Sequence, residues 1–126
     1  MHAKKKILLV EDDGFTRFMM QEIRDTLGVE VDISASIQDG LTRYSSDPDA
    51  YGVVLMDVTL PDDVGLEASQ RIRGLPGATG QSAPVIAVVG DERQVDAGVL
   101  SRYGIAGHLR KPLTPGEMMA LVDQYC

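Results

Sequence analysis

Four acids and a lysine in this chain each follow a short apolar run. Ile7-Leu8-Leu9-Val10 leads into Glu11-Asp12-Asp13, Val53-Val54-Leu55-Met56 into Asp57, and a weaker run at 107–110 into Lys111-Pro112. If these runs are strands of an open α/β sheet, their carboxyl ends lie along one edge, where such sheets bind ligands. Glu11, Asp12 and Asp57 gathered there would repel one another. At ~4 Å and an effective dielectric of about 20, each pair costs roughly 4 kcal/mol. The cluster therefore needs a cation, or some of its members must be protonated. A few hard oxygen ligands, with room left for water, suit Mg2+. Magnesium beside a carboxylate, with a lysine opposite, would stabilise a phosphoryl group in transfer, and a carboxylate can itself accept that group as an acyl phosphate. Solvated acids at strand ends are common in acidic proteins, so any one of these residues alone would mean little. Their convergence from three separate runs is what points to a site.

The elements that must position them can be read from the apolar spacing. Five short runs recur: 7–10, 29–33, 53–56, 85–89 and 107–110. Continuous rather than alternating apolar residues imply strands covered on both faces, as in a parallel sheet. The second and fifth runs are more polar and belong nearer the edges. Between them, Phe15, Met19, Ile23 and Leu27 form one apolar stripe, with Gly28 as its stop. Ile37, Leu41 and Tyr44 form a second stripe behind Ser36, an expected N-cap. Residues 66–73 give a third helix ended by Gly74, and residues 92–103 a fourth that contains Gly98. Met118, Leu121, Val122 and Tyr125 mark a fifth after Pro115, which suits a first helical turn. Strand and helix alternating five times predict a single-domain α/β fold over residues 1–126. This is a doubly wound five-stranded parallel sheet with right-handed crossovers and helices on both faces. The Gly- and Pro-rich stretch 74–84 reads as a surface loop.

Composition narrows the function. At 126 residues, 44% hydrophobic and 25% charged, the chain has the make-up of one globular domain rather than of a disordered segment. A net charge of −7 repels phosphate backbones and anionic lipid, which argues against direct nucleic-acid or membrane-surface binding. Lys4-Lys5-Lys6 is read as a solvated leader to the first strand. Cys126 is alone, so neither an intrachain disulfide nor a thiolate metal site can form, and with only His2 and His108 a zinc site is not expected. The apolar runs are far shorter than the ~20 residues that span a bilayer, and no secretory leader is visible. A cytoplasmic domain is the expectation.

These residues resemble the receiver domain of two-component response regulators over nearly the whole chain. The carriers are Ile7-Leu8-Leu9-Val10-Glu11-Asp12-Asp13, Val54-Leu55-Met56-Asp57-Val58-Thr59-Leu60-Pro61 with Gly65-Leu66-Glu67, and Gly104-Ile105-Ala106-Gly107-His108-Leu109-Arg110-Lys111-Pro112-Leu113. The wording around His108 and the long loop before Pro84 look similar to receivers of hybrid sensor kinases. The resemblance implies a flavodoxin-like strand order 2-1-3-4-5. It makes Asp57 the acceptor of a phosphoryl group from a histidine kinase or phosphotransfer protein. Glu11 and Asp12 match the Mg2+-binding acids, the backbone carbonyl of Thr59 matches a further ligand, and Lys111 matches the lysine that contacts the phosphoryl group, followed by a cis bond to Pro112. It also implies a face for output partners, here residues 91–103, 107–110 and 115–125.

Three departures from the family pattern carry information. Val89 stands where the family has a Ser or Thr hydroxyl, His108 where it has Tyr or Phe, and Val64 where an acid precedes the loop glycine. A hydrogen bond to a charged group is worth about 1.5–3 kcal/mol, whereas reversing a two-state population takes about 5.5 kcal/mol. Phosphorylation of Asp57 with a weak or rerouted structural response is therefore expected. His108 is read as a partly exposed strand residue on the partner face, and Asp62 and Asp63 as acids that tune the local field. A pseudo-receiver, used only for protein docking, is the alternative that Val89 and His108 favour. The intact Glu11, Asp12, Asp57 and Lys111 argue against it, since a docking module has no need of a costly acid cluster. A metal-dependent phosphohydrolase would place a second acid two residues after the nucleophile, and that position is Thr59.

Overall fold

The computed structural model describes residues 4–58, 64–78 and 80–126. Five strands, β1 (Lys6–Val10), β2 (Val31–Ser34), β3 (Tyr51–Asp57), β4 (Val85–Val89) and β5 (Ile105–Arg110), form one sheet in the order β2-β1-β3-β4-β5. Every pairing is parallel. The three most apolar runs occupy the centre, and β1, β3 and β4 are buried almost throughout, while β5 alternates between buried and exposed at its edge. Continuous apolar strands thus sit where both sheet faces are covered.

Helices α2 (Ile37–Ser46), α3 (Val64–Arg73) and α4 (Ala97–Arg102) cover one face, packing Leu41, Tyr44, Leu66, Ile72 and Leu100 on Leu8, Val54 and Ala87. Helices α1 (Gly14–Leu27) and α5 (Pro115–Tyr125) cover the other, with Met20, Ile23, Met118 and Leu121 against Ile7, Leu55 and Val88. The starts and stops follow local chemistry. Ser36 accepts from the Asp39 N–H, and Thr114 and Glu117 cap α5 reciprocally ahead of Pro115. Gly28 ends α1 at φ 69°, a conformation that glycine adopts at little cost.

Two readings of the sequence need correction. The buried stripe of α1 is shifted by one residue at its start. Met20 and Ile23 face the core, while Phe15 and Met19 stand 70% and 41% exposed, joined by Phe18 at 54%. The run Phe15-Met19-Ile23-Leu27 satisfies the helical period equally well, so periodicity could not choose between the two. The single helix expected over 92–103 is instead a 3₁₀ turn, Glu92–Gln94, followed by α4. Asp96 causes the restart, its carboxylate accepting from the N–H groups of Gly98 and Val99 at 2.9 and 3.2 Å.

Candidate functional site

Strand register brings the site together. Val10 pairs with Met56 and Asp57 with Val88, so Glu11 and Asp57 leave adjacent strands at the same level. Val89 pairs with Arg110, one residue before Lys111. The backbone holds these exits firmly: the N–H of Glu11 donates to Ser34 O, that of Val58 to Val88 O and that of Lys111 to Val89 O, at 2.9, 3.0 and 2.9 Å. The Lys111-Pro112 bond is cis.

The carboxylates of Glu11, Asp12 and Asp57 approach one another within 4.8 Å. Asp12 is exposed, Asp57 half-buried, and Glu11 only 1% exposed. Lys111 Nζ sits 2.6 Å from Glu11 Oε1 and 3.0 Å from Asp57 Oδ1, bridging the two acids. Apart from that ammonium, the buried Glu11 oxygens have no further donor among the described residues. Burial first, and then the neighbouring Asp57, push the Glu11 carboxyl up to about 7. Burial also opposes ionisation of Asp57, but hydrogen bonding with Glu11 and Lys111 outweighs it and holds that carboxyl below its usual range. Burial likewise opposes charge on Lys111, and its bonds to the same two acids override it and raise its pKa.

One lysine therefore faces three acids, and the deepest of them has that lysine against Oε1 and no hydrogen-bond partner at Oε2 among the described residues. This donor set fits a hard divalent cation: oxygen ligands only, excess negative charge, and acceptors that outnumber the donors facing them. Beside it a cavity of about 310 Å³, lined by Asp12, Asp57, Ser36 and Gly65 among others, leaves room for water. Asp13 does not join the cluster. It caps α1, accepting from the N–H and Oγ1 of Thr16 at 2.9 and 2.6 Å. Thr59, Asp62 and Asp63 lie outside the described residues.

Val89 is buried at the end of β4, and His108 is exposed on β5 with Nε2 3.6 Å from Glu92 Oε1. Sequence reasoning missed Arg17 and Gln94, and named Gly65 only as part of a motif. Arg17 Nη1 donates to the Glu11 carbonyl at 3.0 Å and braces the loop after β1. Gly65 lets α3 approach β3, since a Cβ there would lie 2.7 Å from the Asp57 carbonyl oxygen. Gln94 lines a second cavity, of about 250 Å³, together with Asp57 and Lys111. Nothing in the sequence sets Arg17 or Gln94 apart.

The chain is similar to known proteins along most of its length. It is 31% identical over 124 residues to an uncharacterized 14.6 kDa protein of Leptolyngbya boryana, covering 98% of this chain and 92% of that one. Of the Chaetomium thermophilum transcription factor SKN7, 27% identical, it spans only 15% of the length, and of the Schizosaccharomyces pombe peroxide stress-activated histidine kinase mak3 only 5%. Among solved structures, it superposes at TM-score 0.76 and 26% identity on the receiver domain of a sensor histidine kinase of Pseudomonas aeruginosa PAO1, a structure with magnesium coordinated in the active site cleft. That match covers 98% of both chains. A chain in the Saccharomyces cerevisiae co-crystal of the histidine phosphotransfer protein Ypd1 with the receiver domain of its response regulator Ssk1 matches at TM-score 0.78. At 18% identity, covering 99% of this chain and 90% of that one, it shows the shared fold. The family model of the response regulator receiver domain matches residues 7–123, and the chain belongs to that family.

Proposed function

We propose that this domain accepts a phosphoryl group on Asp57 from a histidine kinase or phosphotransfer protein, with Mg2+ held by Glu11, Asp12, Asp57 and the Thr59 carbonyl. The observation that carries this reading is the ionised, half-buried Asp57 with Lys111 Nζ at 3.0 Å. An Asp57 oxygen bonds to phosphorus while the phosphorus–nitrogen bond of the donor's phosphohistidine breaks. The electron pair stays on the imidazole nitrogen, which takes up a proton. Lys111 neutralises part of the charge gathering on the phosphoryl oxygens. The bound cation supplies the rest of that neutralisation and relieves the repulsion among the acids. Nearby solved receivers with magnesium or with a phosphotransfer protein support both cofactor and partner. A cytoplasmic setting, where such donors work, goes with this reading, and no described helix is long and apolar enough to cross a membrane.

Incubation with magnesium and a small phosphodonor is expected to add one phosphoryl group by intact mass. The adduct should be absent in Asp57→Asn and persist for minutes. No adduct on a folded domain would favour the pseudo-receiver, and steady phosphate release without an adduct would favour a phosphohydrolase.

The exposed apolar side chains favour one docking face for the phosphoryl donor. Phe15 and Met19 border a small cleft with Pro112 and Leu113, directly after Lys111, and Phe18 stands beside them on α1. The face at 91–125 exposes Ala106, His108 and Arg110 with Met119 as its one exposed large apolar side chain among the described residues, which suits a more polar output partner. A charge placed on the apolar patch removes one anchor of a protein interface, typically more than about 1 kcal/mol. Phe18→Asp is therefore expected to slow transfer from a phosphotransfer protein about ten-fold, and to leave phosphorylation by the small donor unchanged. Equal slowing with both donors would show that the patch matters only for folding.

A further inference from the structure

The cavity of about 250 Å³ on the β4 side of Asp57 is poor in groups that could receive an anion. Val58, Val89 and Gly90 line it without any side-chain donor. Asp91 brings a carboxylate that would repel a phosphoryl group. That carboxylate is also already engaged, accepting from the Arg93 N–H and Nε at 3.0 Å and from Nη2 at 3.1 Å. Lys111 is the cation of the cavity, but it is shared between Glu11 and Asp57.

A phosphoryl group on Asp57 carries three strong acceptor oxygens and close to two negative charges. Lys111 and a cation on the acid side can meet the oxygens that face them. An oxygen turned toward β4 faces Val89 and Gly90, neither of which brings a side-chain donor, and a charged oxygen short of donors is costly in a half-buried site. Gln94 is the uncharged amide among the side chains that line this cavity. It ends the 3₁₀ turn, is exposed, and among the described residues its side chain has no hydrogen-bond partner to give up.

We propose that the Gln94 side-chain amide donates to this oxygen of phosphorylated Asp57 and draws the segment 90–94 onto the site. The assignment rests on Asp57 being the phosphoryl acceptor. It would supply a route from the phosphoryl group to the exposed face of β5 that needs no hydroxyl at Val89. Glu92 in the same turn lies 3.6 Å from His108 Nε2, so movement of the turn alters a contact on that face.

Beryllofluoride, which mimics a phosphoryl group on a carboxylate, tests this with magnesium present. Gln94→Ala is expected to bind it about ten-fold more weakly than wild type, the loss of one hydrogen bond to a charged group. Gln94→Glu should bind more weakly still, because it adds repulsion, and Gln94→Ala should bind magnesium alone as wild type does. Residue 94 is exposed, so neither change threatens the fold. In the wild type, the Gln94 side-chain amide resonances should shift on binding. A wild type that binds beryllofluoride together with an undiminished Gln94→Ala overturns this assignment alone. A folded wild type that takes up none overturns it together with the phosphoacceptor reading.

Discussion

In metal-free buffer, Glu11→Gln is expected to be more stable than the wild-type domain near neutral pH, and in saturating magnesium to lose that advantage. Glu11 is buried beside Asp57 with Lys111 as its counter-charge, and burial and Asp57 together raise its carboxyl from 4.5 to about 7. Folded chains therefore hold a proton there that unfolded chains release between those values. The Glu11 contribution to metal-free stability should be full below pH 4.5 and be lost as pH rises through about 7. The loss should be on the order of 3 kcal/mol, converting the shift at about 1.4 kcal/mol per pH unit. Asp57, whose carboxyl is depressed, acts in the opposite direction but only as pH falls below its ordinary 3.8, outside this window. Glu11→Gln removes the titrating group and should flatten the profile. It also removes one anionic partner of the cation, with an expected 10–100-fold loss of magnesium affinity, about that of deleting a supporting group at a metal site. Thermal unfolding across pH, with chelator and with magnesium, reads both effects. A flat wild-type profile in chelator would sink the account of Glu11.

Lys111→Met should act with the opposite sign. The lysine is the positive charge between Glu11 and Asp57, at 2.6 and 3.0 Å. Replacing it with an apolar chain of similar length leaves two close carboxyls without a counter-charge. The expected cost in chelator is roughly 3 kcal/mol, the lower end for breaking a buried pair, because Lys111 keeps some contact with water. Magnesium should restore much of that stability, since a cation replaces the missing charge by mass action. Phosphorylation should not recover with it. Lys111 is the side-chain cation that faces the phosphoryl oxygens, and losing such a contact, worth about 1.5–3 kcal/mol, should slow adduct formation about ten-fold or more. Denaturant melts and the rate of mass gain separate the two roles. A metal-free Lys111→Met domain as stable as wild type would mean that the acids already share a proton and need no lysine.

These two variants depend on side chains whose importance was readable from type and position. Glu11, Asp57 and Lys111 each follow an apolar run, and in a parallel sheet all strand exits point the same way, so their meeting at one edge follows from the fold class. Ser36, Gly28 and Pro115 mark helix ends through chemistry local to a few residues, and they mark them correctly. The failures arise where two local solutions are equally good. Phe15-Met19-Ile23-Leu27 and the observed buried set both fit one helical face, and only the angle at which α1 meets the sheet selects between them. Residues 92–103 read as one helix despite Gly98, yet the Asp96 carboxylate restarts the helix and leaves Gln94 on a short turn beside the site.

The amino-acid sequence by itself determined the fold class, the central strands, most helix ends and the edge on which the acids gather. It did so because burial period and capping are properties of neighbouring residues. The tertiary structure alone decided the charge balance of the site, with Glu11 buried against Asp57 and Lys111 shared between them. It alone decided which aromatic side chains α1 leaves in solvent, and which amide faces the cavity beside Asp57. These depend on distances across strands and on packing angles, which no window along the chain contains.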